Sequence, residues 1–270
     1  MNNTVAFVTA NFAYRQAGYA GVNDWGLACR TTREYLTPIE TYETRLEAML
    51  LEVKALGFET IDLWTEHLAL RWLTPEHIET AARVVKRLDL NVVSLAGGFG
   101  DTLEDFERSC QIAKTLGARI LGGATGLLKT DRSSLVDTLE RHDLVYAFEN
   151  HPEKSASEVL EKIGDSAGGR IGAAVDTGWF ATQGFDAARA LRELGDRVLH
   201  VHLKDVLKEG AHDTCRFGRG VTPLQDCVHA LEEIGYSGPI DIEHEPERFD
   251  PSEDIRASRV MLEGWMKGAA

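Results

Sequence analysis

The feature that most constrains the fold of this chain is a regular alternation of short apolar runs with amphipathic stretches. Five consecutive apolar runs, from the one at Val92 to the one at Val198, begin 26 or 27 residues apart. Such runs are typical of buried parallel strands, and the stretches between them have the period of helices. The sequence therefore predicts repeated strand–helix units.

Eight strands are predicted, at residues 5–9, 60–64, 92–95, 119–121, 145–149, 171–175, 198–202 and 240–243. Helices are predicted between them, including 44–56, 75–88, 103–116 and 156–163. Eight units with no linker or break in composition predict one domain over residues 1–270, an α/β fold of the (β/α)₈ TIM barrel type. A doubly wound sheet is the alternative, but no G-x-G-x-x-G turn follows any strand.

Two connections are longer than the others, a β1–α1 loop over residues 10–38 and a loop after the seventh strand over residues 205–222. Both follow the carboxyl end of a strand, which is the face where barrel enzymes build their sites. The first loop contains Phe12, Tyr14, Tyr19 and Trp25, and is too apolar for a solvated linker. We expect it to be a lid or a subunit contact, with Trp25 as a candidate substrate contact.

Charge and cysteine content narrow the classes of partner. The chain has 29 basic and 43 acidic residues, a net charge of −14, which disfavours nucleic acid. Its four cysteines show no C-x-x-C pair, as expected for inert, reduced thiols in a cytoplasmic protein. No signal peptide and no apolar stretch of about 20 residues are present, so we expect no membrane association.

Ionisable residues follow the last four predicted barrel strands. They are Glu149, Asp176, His202 and Glu243, each directly at the end of an apolar run. Closure of a barrel brings such strand ends to one rim and points them at a common centre. Three carboxylates in so small a space repel one another unless a proton or a cation intervenes. The sequence therefore predicts a divalent metal site, and this donor set suits Mn²⁺, Mg²⁺ or Co²⁺ better than a thiolate zinc site.

Residues two positions apart on a strand face the same way, which adds further candidates. His151 follows Glu149 by two residues and is a candidate base or substrate contact, with a structural histidine as the alternative. Lys204 is a candidate substrate contact, with an ion pair to a rim carboxylate as the alternative. His200 is expected deeper in the core, and Arg219 is a loop cation within reach of substrate oxygens.

Segments over most of the chain resemble the xylose isomerase-like TIM-barrel superfamily. The segments are "ALGFETIDLW", "FENH", "VDTGW", "HVHLKD", "FGRG" and "IDIEHE", and their order and spacing carry the resemblance. The superfamily includes sugar phosphate isomerases, ketose 3-epimerases, inosose dehydratase and the barrel subunit of C-glycoside deglycosidases. The resemblance implies that Glu149, Asp176, His202 and Glu243 bind one divalent metal, commonly Mn²⁺. It also implies that Glu149 and Glu243 are the acid/base pair.

This resemblance implies a metal-dependent sugar isomerase or epimerase. A metal that holds a carbonyl oxygen and a neighbouring hydroxyl stabilises the cis-enediolate formed when a base removes the adjacent proton. Carboxylates on both sides of the sugar permit removal on one face and return on the other. If a leaving group lies β to the carbanion, the same intermediate collapses by elimination, so a dehydratase or lyase acting on a keto-sugar or 3-keto-glycoside is the alternative.

Two departures from the epimerase pattern favour the alternative. Trp179 stands where the epimerases have a histidine three residues after the metal aspartate, and Ser155 stands where they have a glutamate. Trp179 offers a flat face to a sugar ring or an aromatic aglycone, and His151 supplies an additional base. Isomerase or epimerase activity stays the first interpretation, because it is the commoner chemistry on this scaffold.

The expected partner is a small sugar or keto-glycoside. No phosphate cradle is apparent after the last two strands, which favours an unphosphorylated substrate. A homo-oligomer is expected, with a heteromeric partner as an alternative. A non-catalytic sugar-binding barrel is the remaining hypothesis.

Overall fold

The computed structural model describes residues 1–21 and 23–268. Its barrel strands are β1 (Val5–Val8), β2 (Thr60–Trp64), β3 (Asn91–Gly98), β4 (Ile120–Ala124), β5 (Val145–Glu149), β6 (Ile171–Asp176), β7 (Val198–Leu203) and β10 (Ile240–Ile242). All are parallel, and they close in the order β1-β10-β7-β6-β5-β4-β3-β2. Two short strands, β8 (Asp205–Val206) and β9 (Thr214–Cys215), pair with each other as an antiparallel hairpin. The predicted single-domain TIM barrel is confirmed.

Helices surround the barrel. They are α1 (Trp25–Leu36), α2 (Ile39–Ala55), α3 (Pro75–Arg87), α4 (Leu103–Leu116), α5 (Leu127–Thr130), α6 (Arg132–His142), α7 (Ala156–Ile163), α8 (Thr177–Thr182), α9 (Ala187–Leu194), α10 (Leu224–Glu233) and α11 (Ser252–Met266). Of the helices in the described part of the chain, none is long and apolar enough to cross a bilayer. Predicted and observed bounds agree for α4, where the Thr102 side chain accepts the Asp105 N–H and Gly117 ends the helix in the left-handed region.

Apolar faces of the helices pack on the outside of the strands. On α2 the buried residues Leu46, Leu50 and Val53 recur at helical spacing, and each is at most 1% exposed. Burial of each such side chain contributes about 1.5–3 kcal/mol relative to an exposed one. The inside of the barrel is different, because polar side chains from β2, β7 and β10 are fully buried there. The helical layer therefore stabilises a barrel whose interior is partly ionic.

The segment over residues 10–38 differs from its prediction as one long loop. It contains a 3₁₀ helix (Thr9–Phe12) and the 12-residue α1, whose N-terminus is capped by the Asp24 side chain. Helix α2 also begins at Ile39, five residues before the predicted start. The prediction was wrong because the capping signal at Asp24 lies among aromatic and glycine residues that indicate a loop. The later loop, 205–222, contains the β8–β9 hairpin.

The four cysteines are unpaired and buried, as expected. Burial raises the pKa of Cys29, Cys110 and Cys215 to about 12. Thiolates are the reactive form of cysteine, so these three thiols are inert at neutral pH.

Candidate metal centre and active site

The four residues predicted at the strand ends come together at one rim of the barrel. Glu149 ends β5, Asp176 ends β6, His202 lies near the end of β7 and Glu243 directly follows β10. These four strands are neighbours in the barrel, in the order β10, β7, β6, β5. Asp176, His202 and Glu243 are buried, and Glu149 is half-buried.

His202 lies between two of the carboxylates. Its Nδ1 is 3.1 Å from Glu149 Oε1 and 3.1 Å from Glu243 Oε2. Ligand atoms of these three residues lie within 4.8 Å of one another, as do those of Glu149, His151 and Asp176. Glu243 Oε2 is buried yet accepts no hydrogen bond, because its close contacts lack hydrogen-bonding geometry. Carboxylate oxygens gathered around one imidazole nitrogen fit a divalent cation of hard to borderline character.

Lys204 lies among the carboxylates rather than free at the mouth of the barrel. Its Nζ is 2.9 Å from Asp176 Oδ2, 3.1 Å from Glu243 Oε2 and 2.8 Å from Glu245 Oε1. Desolvation lowers the pKa of this ammonium, but the three negative charges outweigh that effect and raise it. Burial in turn raises the pKa of Glu245 to about 7. Lys204 therefore neutralises part of the negative charge of the site.

Buried side chains tie the strand ends together. The Asn150 side chain donates to the Asp176 carbonyl at 3.0 Å and accepts the Asp176 N–H at 2.7 Å. The Thr177 hydroxyl donates to the Lys204 carbonyl at 3.0 Å and lies 2.8 Å from the Lys204 N–H. Asn11 donates to the last carbonyl of β10 at 3.0 Å. These bonds fix the backbone from which the ionisable side chains project.

His151 is the most exposed ionisable group of the site, with 37% of its side chain accessible. Its Nε2 is 3.2 Å from Asp176 Oδ2 and 3.7 Å from Glu149 Oε1. Desolvation lowers the pKa of His151, but the charge of Glu149 and the hydrogen bond to Asp176 raise it above its ordinary value. An accessible imidazole beside two carboxylates can accept a proton from, or return it to, a bound molecule.

Trp179 and His212 form an aromatic wall beside His151. The Trp179 ring centroid lies 4.5 Å from that of His151 and 4.3 Å from that of His212, on which it stacks at 22°. His212 lies between β8 and β9, and its Nδ1 is buried without a partner. Burial, followed by the charge of Lys204, lowers the pKa of His212 to about 4. His212 could not be predicted as a site residue, because only the folding of the hairpin brings it to Trp179.

Two predicted substrate contacts lie apart from this cluster. Trp25 begins α1, is 44% exposed and packs against Tyr14 and Trp64. The Tyr14 hydroxyl in turn lies 3.2 Å from Glu247 Oε1, which links this segment to the chain after β10. Arg219 is exposed and lines a surface groove with Phe217 and residues of α11. The structure therefore does not join Trp25 or Arg219 to the carboxylates.

A second ionic cluster, the inner cluster, lies deeper in the barrel and consists of Asp62, His200 and Asp241. His200 Nε2 is 3.1 Å from Asp62 Oδ2 and 2.9 Å from Asp241 Oδ2, and all three residues are fully buried. Gly122 leaves room for the imidazole, since a Cβ there would lie 2.9 Å from His200 Cδ2. His200 was expected in the core, whereas Asp62 and Asp241 were missed. Each is an aspartate inside an otherwise apolar strand, and this pattern could have identified both from the sequence.

A cavity of about 330 Å³ opens beside β2 and β3. Its lining includes Leu63, Trp64, Leu95 and Phe99, and none of the ionisable residues at the rim or in the inner cluster. This cavity is therefore separate from the carboxylate cluster.

Comparison with protein families decides the classification. Residues 50–265 match the family model described as xylose isomerase-like TIM barrel. The chain belongs to this family. No curated protein sequence matches it.

Solved structures with the same fold confirm the barrel. A zinc-bound IolI protein superposes with a TM-score of 0.70 at 16% identity, over 99% of each chain. An L-ribulose 3-epimerase gives 0.67 at 17% identity, over 84% of this chain and 90% of that one. The 3-keto-D-glucoside 4-epimerase YcjR from E. coli gives 0.61 at 17% identity, over 81% of this chain and 94% of that one. At this level of identity the likeness shows the fold.

Ser155 and Trp179, the two departures from the epimerase pattern, each have a local role in this xylose isomerase-like barrel. Ser155 caps α7, where its hydroxyl accepts the Glu158 N–H. The Trp179 N–H donates to Asp176 Oδ1 at 3.0 Å, which places the indole directly beside the carboxylate cluster. A helix cap and an aromatic wall thus occupy the positions where the epimerases carry polar residues.

Proposed function

We propose that this xylose isomerase-like barrel is a divalent-metal-dependent sugar isomerase or epimerase that moves a proton on the carbon next to a carbonyl. The observation that carries the proposal is the equal 3.1 Å spacing of Glu149 and Glu243 from His202 Nδ1. Glu149, Asp176, His202 and Glu243 would hold the ion, with Mn²⁺ the first candidate. When bound, the ion supplies Lewis-acid polarisation of the substrate carbonyl.

The two glutamates supply the proton transfer. Glu149 and Glu243 come from β5 and β10, which are separated in the barrel by β6 and β7. One carboxylate takes the proton from the carbon next to the carbonyl, and the other returns a proton from the opposite side, which inverts that carbon. Lys204 holds Glu243 and Asp176 in place through its ammonium. The names of two fold neighbours, an L-ribulose 3-epimerase and a 3-keto-D-glucoside 4-epimerase, agree with this class of reaction.

A dehydratase or lyase acting on a keto-sugar or 3-keto-glycoside is the second candidate. It is favoured by His151, which is accessible and lies beside an aromatic wall of Trp179 and His212. In that reaction the imidazole takes the proton next to the carbonyl, and the electron pair left on carbon expels a group from the β position. The wall provides a flat apolar face suited to an aromatic leaving group.

The experiment is proton NMR in D₂O after incubation of the Mn²⁺-supplemented protein with free ketoses, inososes and 3-keto-glycosides, the metal being removed by chelation before recording. We expect deuterium next to the carbonyl together with an isomeric sugar. Glu243→Gln should slow the exchange by about 10²–10⁴-fold, since it removes a general acid/base group. Glu161→Gln, at an exposed position on α7, is the matched control.

The products separate the hypotheses. An unsaturated sugar or a released aglycone would establish the lyase alternative. Binding of the sugars without exchange or turnover would instead establish a non-catalytic sugar-binding barrel. An exchange rate in Glu243→Gln equal to that of the Glu161→Gln control would contradict the role assigned to Glu243.

A further inference from the structure

The two imidazole nitrogens of His202 have different surroundings. Nδ1 faces Glu149 and Glu243, whereas Nε2 lies 2.9 Å from Asp62 Oδ2 and 3.1 Å from His200 Nε2. Asp62 is on β2, separated from β7 by β1 and β10. A neutral imidazole carries its proton on one nitrogen only, so if Nδ1 gives its lone pair to a cation held by Glu149 and Glu243, the proton is on Nε2 and faces Asp62.

We propose that Asp62 is a positioning residue for metal binding, which accepts the Nε2–H of His202 and thereby directs the Nδ1 lone pair at the ion. The inference rests on the proposed function, since it requires His202 to be a ligand. A carboxylate that accepts the second N–H of a ligating histidine fixes its tautomer and ring orientation and raises its basicity. Asp62 supplies that carboxylate from outside the set of ligands.

Burial makes Asp62 an unfavourable residue for the fold. It is 0% exposed, its Oδ2 is shared between His200 and His202, and its Oδ1 has no hydrogen-bond partner. Burial of a carboxylate with an unpaired oxygen destabilises a protein, and apolar replacements of buried charges are often stabilising. The short contact to His202 gives this unfavourable group a role at the site above it.

The other buried aspartate of the inner cluster does not share this role. Asp241 Oδ2 is 2.9 Å from His200 Nε2 but 4.0 Å from His202 Nε2. It is as buried as Asp62 and belongs to the same network. Asp241→Asn is therefore a matched control for Asp62→Asn.

The inner cluster is better explained as support than as a second ion site. A second ion bound by all four residues of the group Asp62, His200, His202 and Asp241 would require His202 Nε2 to lose its proton while Nδ1 binds the first ion, which makes an imidazolate. Donation of that proton to Asp62 needs no such species. The number of ions bound per chain distinguishes the two explanations.

The test measures Mn²⁺ affinity and stoichiometry by isothermal titration calorimetry, with electron paramagnetic resonance of free Mn²⁺ as the second method. We expect one ion per wild-type chain. Asp62→Asn should weaken binding by about 10–100-fold, as loss of such a partner typically does. The amide can donate to Nε2, which moves the imidazole proton to Nδ1 and removes the lone pair from the ligand position. Asp62→Glu should recover part of the affinity, and Asp241→Asn should bind as wild type does.

Circular dichroism and thermal unfolding of the metal-free proteins establish that each variant is folded. If Asp62→Asn does not fold, Asp62→Leu replaces it, with the same expected loss of affinity. Wild-type affinity in the folded variant lacking the carboxylate would overturn the inference and leave the proposed function standing. Equal losses in the Asp62 and Asp241 variants, or two ions per chain, would also overturn it. If the wild-type protein bound no Mn²⁺, the proposed function would fail together with the inference.

Discussion

A buried histidine away from the proposed ligands links the stability of this protein to pH. His67 follows β2, is 2% exposed, and its Nδ1 lies 3.0 Å from the Thr9 hydroxyl. Burial, with a smaller contribution from the charge of Arg15, lowers its pKa to about 3. The unfolded chain, with a histidine pKa near 6.5, takes up a proton there before the folded chain does.

We therefore expect the contribution of neutral His67 to be fully present above pH 6.5 and to be lost as the pH falls toward 3. Because a single proton is taken up, His67 can change the free energy of unfolding by at most about 1.4 kcal/mol per pH unit. The free energy of unfolding, measured in urea from pH 4 to pH 7, should fall less steeply in His67→Gln than in wild type. His229→Gln, at an exposed position on α10, is the control. Parallel curves for wild type and His67→Gln would show that this histidine is not held neutral.

Some residues of the site could be predicted from the sequence, and others could not. Glu149 and His202 were predicted to meet because the carboxyl ends of parallel barrel strands converge. Asp62 was not predicted, since its partner His202 comes from a strand separated from β2 by two others in the barrel and lies 140 residues later in the chain. His212 was not predicted because it lies in a hairpin loop. The position of a residue along its strand can be read from the neighbouring sequence, whereas a contact across the barrel depends on residues far away in the chain.

Among the elements, strands were predicted more closely than the first helix. The strand β5 has its predicted bounds, because its apolar run ends sharply at Glu149 and begins within two residues of Asp143. Helix α1 was missed, since its sequence is only weakly apolar and its start depends on one capping aspartate, Asp24. Tertiary contacts, including the packing of Trp25 on Trp64, stabilise it in place of a strong local pattern.

Two helical glycines lead to opposite predictions. A Cβ on Gly178 in α8 would lie 2.7 Å from Lys204 Cγ, whereas a Cβ on Gly264 in α11 meets nothing within 4 Å. The Lys204 ammonium is held by three carboxylates, so its side chain has little freedom to move aside. Gly178→Ala should destabilise by about 1–3 kcal/mol through overpacking. Gly264→Ala should stabilise by about 0.5–1 kcal/mol, since alanine is the better helix former.

Urea unfolding of the metal-free variants measures both effects. A destabilised Gly264→Ala would show that α11 needs its glycine for a reason other than space. A neutral Gly178→Ala would show that Lys204 can shift, and that the close fit of α8 against β7 does not fix its ammonium.

At the scale of the whole molecule, the rim of the barrel concentrates negative charge in a chain that is already acidic. The net charge is −14, and Glu149, Asp176, Glu243 and Glu245 gather around the single ammonium of Lys204 and the imidazoles of His151 and His202. Like charges at these distances oppose the compact state unless cations compensate them. A bound divalent ion would relieve that repulsion, so occupancy of the site and global stability should be coupled.

Mn²⁺ should therefore stabilise the folded protein against unfolding. Binding to the folded state alone adds about 2.7 kcal/mol at a free ion concentration one hundred times the Kd. The measurement is the free energy of unfolding in urea with Mn²⁺ and with a chelator, at constant ionic strength. Glu149→Gln should lose most of the stabilisation by Mn²⁺ because it removes one ligand charge. Glu161→Gln, on the surface of α7, should keep that stabilisation. An equal increment in both variants would mean that the ion binds elsewhere, because stabilisation by an ion at the rim has to depend on the carboxylates that hold it.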